Sequence, residues 1–299
     1  MGGFAYEAPA TLDDALALLA RHASNETRTQ LLAGGTDMLV QLRAIDPEPR
    51  AIVDVKKIPE TREIRLDEEG LVLGAAVTAA TLTRHEQIAA LWPGLAEGVD
   101  LIGSTQIQGR ASPGGNLCTA SPAGDSIPIM IANGAVALIA SASGTRELPV
   151  EQFVVGVQKN ALAPGEMLVS LRFPRPAANS GDAYLRFIPR TEMDIAVASA
   201  GVRVTVDDGG TITAARVGIG AVAPTALLVP EAGDALVGST GDDAAMEALA
   251  AACSAAANPI TDKRGTADYR RRVVGVLARR AAARAIARAK GDAVEGAHA

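Results

Sequence analysis

The sequence predicts an α+β protein in two parts. Short strands and helices alternate first, and an antiparallel sheet with helices follows. Three observations carry this reading. Helical and alternating apolar patterns succeed one another from Thr11 to Phe173. A run rich in Pro, Ala and Gly at 174–181 interrupts them. Beyond it, two apolar strands flank Asp207-Asp208-Gly209-Gly210 and lead into helices.

The elements follow in order. Thr11 caps a first helix, Asp14 completes a T-x-x-D box, and Leu12, Ala15, Leu16 and Leu19 form its apolar face. A short strand, residues 30–33, runs into Gly34-Gly35-Thr36-Asp37. A short helix at 38–42 and a strand at 51–55 complete a small unit ending near residue 57. Ile64 and Leu66 alternate opposite Leu71 and Leu73, a hairpin around Asp67-Glu68-Glu69-Gly70. Two helices are expected at 81–91 and 93–102, the second opened by Pro93. A nearly uncharged Gly/Pro/Ser/Asn stretch, 107–125, marks backbone turns. Strands resume at 136–140 and 167–173; after the linker come a hairpin of 196–206 with 211–219 and helices at 242–257 and 270–289. The divisions are 1–57, 58–176, 177–290, and a flexible tail at 291–299.

Composition narrows the function. Of 299 residues, 48% are hydrophobic and 21% charged, which is ordinary globular material. No apolar run is long enough for a membrane span, and the N-terminus lacks the basic and apolar regions of a secretory signal. With two cysteines, Cys118 and Cys253, the expected compartment is the cytoplasm. Those two thiols exclude a disulfide framework and an iron–sulfur cluster held by this chain alone. The net charge of −6 argues against general nucleic-acid binding. Between Asp262 and Lys290, ten Lys/Arg against two Asp make a local +8. That segment reads either as a basic partner-binding surface or as the solvated face of a terminal helix.

Four Gly-Gly pairs occur, at 2–3, 34–35, 114–115 and 209–210, where about three are expected by chance. The first is terminal and the last is a hairpin turn. The middle two lie in turn-rich segments and precede small polar residues. Such glycines let successive N–H groups point into one concavity, as a phosphate needs; two nests would suit a pyrophosphate, and two structural turns are the alternative. Asp125, before 126–130, reads as a helix N-cap or as an acceptor for sugar hydroxyls. Gly218-Ile219-Gly220 imitates a dinucleotide fingerprint, but Pro224 follows and no βαβ unit surrounds it. The three histidines, His22, His85 and His298, have no metal-ligand spacing, and Cys118 reads as a small buried residue.

Several segments together resemble a known family. Leu32-Ala33-Gly34-Gly35-Thr36-Asp37-Met38 is similar to the first FAD loop of the medium, flavin-binding subunits of molybdenum hydroxylases, xanthine dehydrogenase and carbon monoxide dehydrogenase among them. Gly114-Gly115-Asn116-Leu117-Cys118-Thr119-Ala120-Ser121-Pro122-Ala123-Gly124-Asp125 resembles their second loop. Residues 4–9, 190–196 and 263–271 fit as well, so the likeness spans nearly the whole chain.

The resemblance implies a two-subdomain FAD-binding fold of the vanillyl-alcohol oxidase/PCMH type plus a C-terminal α+β domain. It implies that Ala33, Gly34, Gly35, Thr36 and Asp37, with Gly114, Gly115 and Asn116, cradle the pyrophosphate of non-covalent FAD. Thr119, Ser121 and Asp125 would reach phosphate or sugar hydroxyls. Met167 and Leu168 would pack around adenine or flavin, and Arg186 and Asp194 would lie near the isoalloxazine. It further implies an electron-transfer role with no catalytic acid, base or metal ligand in this chain. A large molybdenum-binding subunit and a small subunit with [2Fe-2S] clusters would be the partners, as a dimer of heterotrimers. Some relatives carry an extra cluster in the flavin subunit; this chain lacks the cysteines for it. The alternatives are a stand-alone flavoprotein oxidase of the same fold and a scaffold that has lost FAD.

Overall fold

The computed structural model describes residues 4–43, 50–191 and 193–292. The Gly2-Gly3 pair, Glu192, His298 and most of the expected tail, from 293 on, lie outside the described residues.

A three-stranded parallel sheet comes first, in the order β1 (Phe4–Glu7), β3 (Arg50–Asp54), β2 (Thr29–Leu32). Helix α1 (Leu12–Ser24) starts where expected: the Thr11 hydroxyl accepts the Asp14 N–H at 3.1 Å. Its Ala15 and Leu19 pack with Val53, Val55 and Ile58, and with Met167 and Val169 of the next sheet. Helix α2 (Met38–Arg43) leaves the first glycine loop.

The second sheet is antiparallel, in the order β4 (Ile64–Leu66), β5 (Gly70–Gly74), β10 (Met167–Pro174), β6 (Val136–Ser141), β7 (Gly144–Pro149). Seven short helices pack with it: α3 (Ala79–Thr83), α4 (Glu86–Leu91), α5 (Pro93–Asp100), α6 (Thr105–Gln108), α7 (Pro113–Thr119), α8 (Ser126–Ala132) and α9 (Val150–Phe153). A small hairpin, β8 (Val154–Gly156) with β9 (Lys159–Asn160), follows α9. The helix expected at 81–91 is two helices. Thr78 caps the first, and His85 is extended, so the chain turns and buries Leu82 and Ile88 separately.

The third sheet, β11 (Ser180–Phe187), β12 (Ala198–Val206), β13 (Ile212–Gly220), β14 (Leu227–Leu228), is antiparallel. Strand β10 runs through Pro174 and β11 begins at Ser180, so the expected linker is shorter than 174–181. One face is covered by α11 (Asp243–Ala256) and α12 (Ala267–Ala289), with α10 (Pro230–Asp234) beside them. The other face lies on α8, and glycine makes this contact possible. A Cβ on Gly218 would stand 2.2 Å from the Pro128 carbonyl oxygen, and one on Gly201 would stand 2.7 Å from Ile129 Cα. The fingerprint-like Gly218-Ile219-Gly220 run is therefore the seat of a helix.

Polar contacts lock the third sheet to the helices of the second. Buried Asp182 on β11 accepts the N–H groups of Gly94 (2.9 Å) and Leu95 (3.2 Å) and the Asn133 amide (2.7 Å). Arg284 and Arg288 of α12 pair with Glu97 of α5. Other cations of the basic segment are also used within the chain. Arg264 and Arg270 reach Asp262, Arg271 reaches Asp268, and Arg279 reaches Asp243. Asp262 and Asp268 are already counted in the local +8, and Glu97 and Asp243 offset two more of its charges.

Candidate functional site

Gly34 and Gly35 of the first loop and Gly115 of the second line one cavity of about 910 Å³. The first loop follows β2. A Cβ on Gly34 would lie 2.0 Å from the Arg110 carbonyl oxygen, so this residue admits close contact with the second loop. Gly35 takes a φ of +80°, a left-handed turn that favours glycine. Two side-chain bonds tie the loops together: Arg110 Nε donates to the Gly34 carbonyl at 3.2 Å, and the Thr119 hydroxyl donates to Asp37 at 3.2 Å. The backbone N–H groups of Gly34, Gly35, Thr36 and Asp37 have no acceptor among the described residues. Gly34, Gly35 and Thr36 are half-exposed and Asp37 is exposed, so these four donors are open to an oxyanion placed in the cavity.

The second loop enters α7. Ser112 caps it, accepting the Gly115 N–H at 3.0 Å. Asn116 accepts the Ser126 hydroxyl at 2.9 Å through Oδ1, an orientation that leaves its amide hydrogens available as donors.

Of the expected site residues, Ala33, Gly34, Gly35, Thr36, Asp37, Gly115, Asn116 and Thr119 line this cavity. Gly114, Ser121, Asp125, Met167, Leu168, Arg186 and Asp194 do not. Gly114 instead packs on Ala75, whose carbonyl oxygen a Cβ would approach to 2.5 Å. The Ser121 hydroxyl accepts the Ala123 N–H within a turn. Met167 and Leu168 are buried in the cores beneath β10. Asp194 is held by Arg190 (3.1 Å) and Arg264 (3.3 Å).

Asp125 is the most informative displacement. It stands at the N-cap of α8 yet makes no side-chain capping bond. It turns toward β11, accepting from Arg186 at 2.6 Å and from the Tyr184 hydroxyl at 3.1 Å. Burial, partly offset by Arg186 and Tyr184, raises its pKa to about 6. Arg186 also donates to the Leu101 carbonyl at 2.9 Å, next to cavity-lining Ile102. This pair positions the cavity wall from behind.

The remaining walls were not legible in advance. One is the segment Leu162–Glu166 with Gln158 and Asn160; the Pro164-Gly165 turn signal was the available hint. The other carries Gln30, Gln41 and Arg50, where Arg50 donates to Gln30 at 2.9 Å. Cys118 also lines the cavity, and desolvation pushes its thiol up to about 12, so it is not poised as a nucleophile. Among the described residues no cluster of His, Cys, Asp and Glu could hold a metal ion.

A large cleft with paired glycine loops and unpartnered N–H groups defines a class: a protein that holds a diphosphate-bearing cofactor between an N-terminal unit and a helix-covered sheet. The comparisons resolve that class further. Residues 2–176 match the FAD binding domain in molybdopterin dehydrogenase, and 183–285 match the CO dehydrogenase flavoprotein C-terminal domain. The carbon monoxide dehydrogenase medium chain of Afipia carboxidovorans is 34% identical over 97% of this chain and 99% of its own length. The nicotinate dehydrogenase FAD-subunit of Eubacterium barkeri is 32% identical over 83% and 84%. Reconstituted CO dehydrogenase from Oligotropha carboxidovorans superposes with a TM-score of 0.90 at 32% identity, covering 96% of this chain and 99% of that one. The chain belongs to the family of FAD-binding flavoprotein subunits of the molybdopterin dehydrogenases.

Proposed function

We propose that this chain is the FAD-carrying electron-transfer subunit of a heteromeric molybdenum hydroxylase. It would take electrons from iron–sulfur clusters of a partner and deliver them to an external acceptor. One observation carries the reading: the unpartnered N–H groups of Gly34 to Asp37, on the wall of the cavity that Gly115 and Asn116 also line. Bound there, FAD supplies the redox chemistry. The chain's own residues bind and orient. The Gly34–Asp37 N–H groups and the Asn116 amide donate to the diphosphate, and Arg110 and the Thr119–Asp37 bond hold the two loops in register. The Asp125–Arg186 pair holds the wall at Leu101–Ile102.

The division of labour rests on the cysteine count together with the family likeness. Two thiols cannot ligate a four-thiolate cluster, so an iron–sulfur centre feeding this flavin would sit in another subunit; the family likeness assigns it to a small partner and the molybdenum cofactor to a large one. The reading includes a dimer of heterotrimers, working in the cytoplasm, and the divisions 1–57, 58–176 and 177–290. No helix among the described residues is long and apolar enough to cross a membrane.

The test begins with the isolated chain. It should turn yellow on addition of FAD and release the flavin on acid denaturation. A chain that stays colourless overturns the reading. Native purification should then yield two further subunits with molybdenum and iron; turnover by the chain alone would point to an oxidase instead.

A further inference from the structure

The second glycine loop commits several of its donors within the chain. The Gly115 N–H goes to the Ser112 hydroxyl oxygen at 3.0 Å, the Asn116 N–H to the Ser112 carbonyl at 2.8 Å, and the Thr119 hydroxyl to Asp37 at 3.2 Å. Pro113 has no N–H to give. The Asn116 side-chain amide is still on offer. Asn116 lines the cavity, and the one side-chain bond it makes among the described residues runs through Oδ1.

An asparagine amide has nearly the same shape either way round, so packing alone does not decide which end faces the cavity. Turned one way, it offers N–H donors to a diphosphate. Turned the other, it offers a carbonyl oxygen, which repels one. Ser126 makes the choice. Its side chain is fully buried, and its hydroxyl donates to Asn116 Oδ1 at 2.9 Å. Among the described residues this hydroxyl makes no other hydrogen bond. With the amide reversed, the Ser126 proton would face N–H groups and stay buried without an acceptor. Gly124 closes the same side, since a Cβ there would stand 3.0 Å from Asn116 Oδ1. Ser126 is itself held in place. It opens α8, and Pro128 and Ile129 of that helix sit against Gly218 and Gly201 of the third sheet.

We propose that Ser126 is a positioning residue for the cofactor: through Asn116 Oδ1 it holds the amide with Nδ2 toward the diphosphate. The proposal rests on FAD occupying this cavity. Ser126 does not line the cavity, so its effect passes through Asn116. In Ser126→Ala the free chain can turn Oδ1 into the open cavity. Binding FAD must then bury that oxygen again without a donor, which lowers the fraction of competent chains.

The experiment titrates FAD into the flavin-free full chain by calorimetry, for the parent, Ser126→Ala, Asn116→Ala and the double variant. Alanine is the best helix former and preserves α8, and the melting point of each flavin-free chain reports the fold separately. Ser126→Ala should weaken FAD binding about tenfold. In the Asn116→Ala background the same substitution should change nothing, because no amide is left to orient. Equal weakening in both backgrounds would mean that Ser126 serves structure alone, and it would overturn the proposal. Parental affinity in Ser126→Ala would overturn it too. A parent chain that binds no FAD is a different result, and it would overturn the functional reading together with the proposal.

Discussion

Replacing Gly115 by Val tests the cofactor cradle with little disturbance elsewhere. Gly115 lines the cavity, and a Cβ there meets only the Ser112 hydroxyl, at 3.0 Å. That oxygen caps α7, so the cost to the fold is a strained cap, about 1 kcal/mol. The cost to the cofactor is larger. The valine methyls enter the space beside Asn116 and hold the diphosphate away from the opposing N–H groups of Gly34 to Asp37. Losing two charge-assisted hydrogen bonds, each about 1.5–3 kcal/mol, removes roughly 3–6 kcal/mol. That corresponds to FAD affinity weakened by roughly 10²- to 10⁴-fold. Flavin content per chain after gel filtration, with calorimetric titration of FAD, measures the effect. The flavin-free variant should melt within a few degrees of the flavin-free parent. Unchanged flavin content would refute the cradle; equal losses in both readouts would mean that Gly115 serves folding alone.

Three other outcomes are expected. Arg186→Met strands buried Asp125 without its cation, which costs about 3–5 kcal/mol while the carboxylate is charged. In the parent, Asp125 has a folded pKa raised from 3.8 to about 6, so its contribution is fully present below pH 3.8 and is lost as pH rises to about 6. Asp125→Asn should flatten that window in urea denaturation; an unchanged slope between the two pH values would show that Asp125 titrates normally. Gly218→Ala drives a Cβ against the Pro128 backbone at 2.2 Å and should cost up to about 3 kcal/mol, whereas Gly209→Ala in the exposed hairpin turn should cost less than about 0.5. A melting point for Gly218→Ala equal to the parent's would disprove the helix seat. Finally, Cys253 is buried with its thiol pushed up to about 12, so thiol reagents at neutral pH should label Cys253 only after unfolding, whereas Cys118 on the cavity wall should be shielded when FAD is bound. Stoichiometric labelling of Cys253 in the native chain within minutes would contradict that.

The sequence by itself determined what is local. Thr11 and Asp14 specify a helix start, Asp207 to Gly210 a hairpin, and the 34–35 and 114–115 glycines two loops, because capping and turn geometry depend on residues a few positions apart. The family likeness rests on the same contiguous segments. Tertiary structure decided what depends on distant partners. Asp125 has the position of a cap, but Arg186 and Tyr184, about sixty residues further on, draw its carboxylate away from the helix and from the cavity. Pro224 already argues in the sequence against a phosphate loop at Gly218, but only the fold shows that Pro128 makes this glycine a packing contact. The basic segment has the composition of a docking surface, and only the fold shows that Arg279, Arg284 and Arg288 within it pair with Asp243 and Glu97. Arg203 and Arg216 stand opposite one another on β12 and β13 only through strand register, which the two segments acquire by pairing with one another.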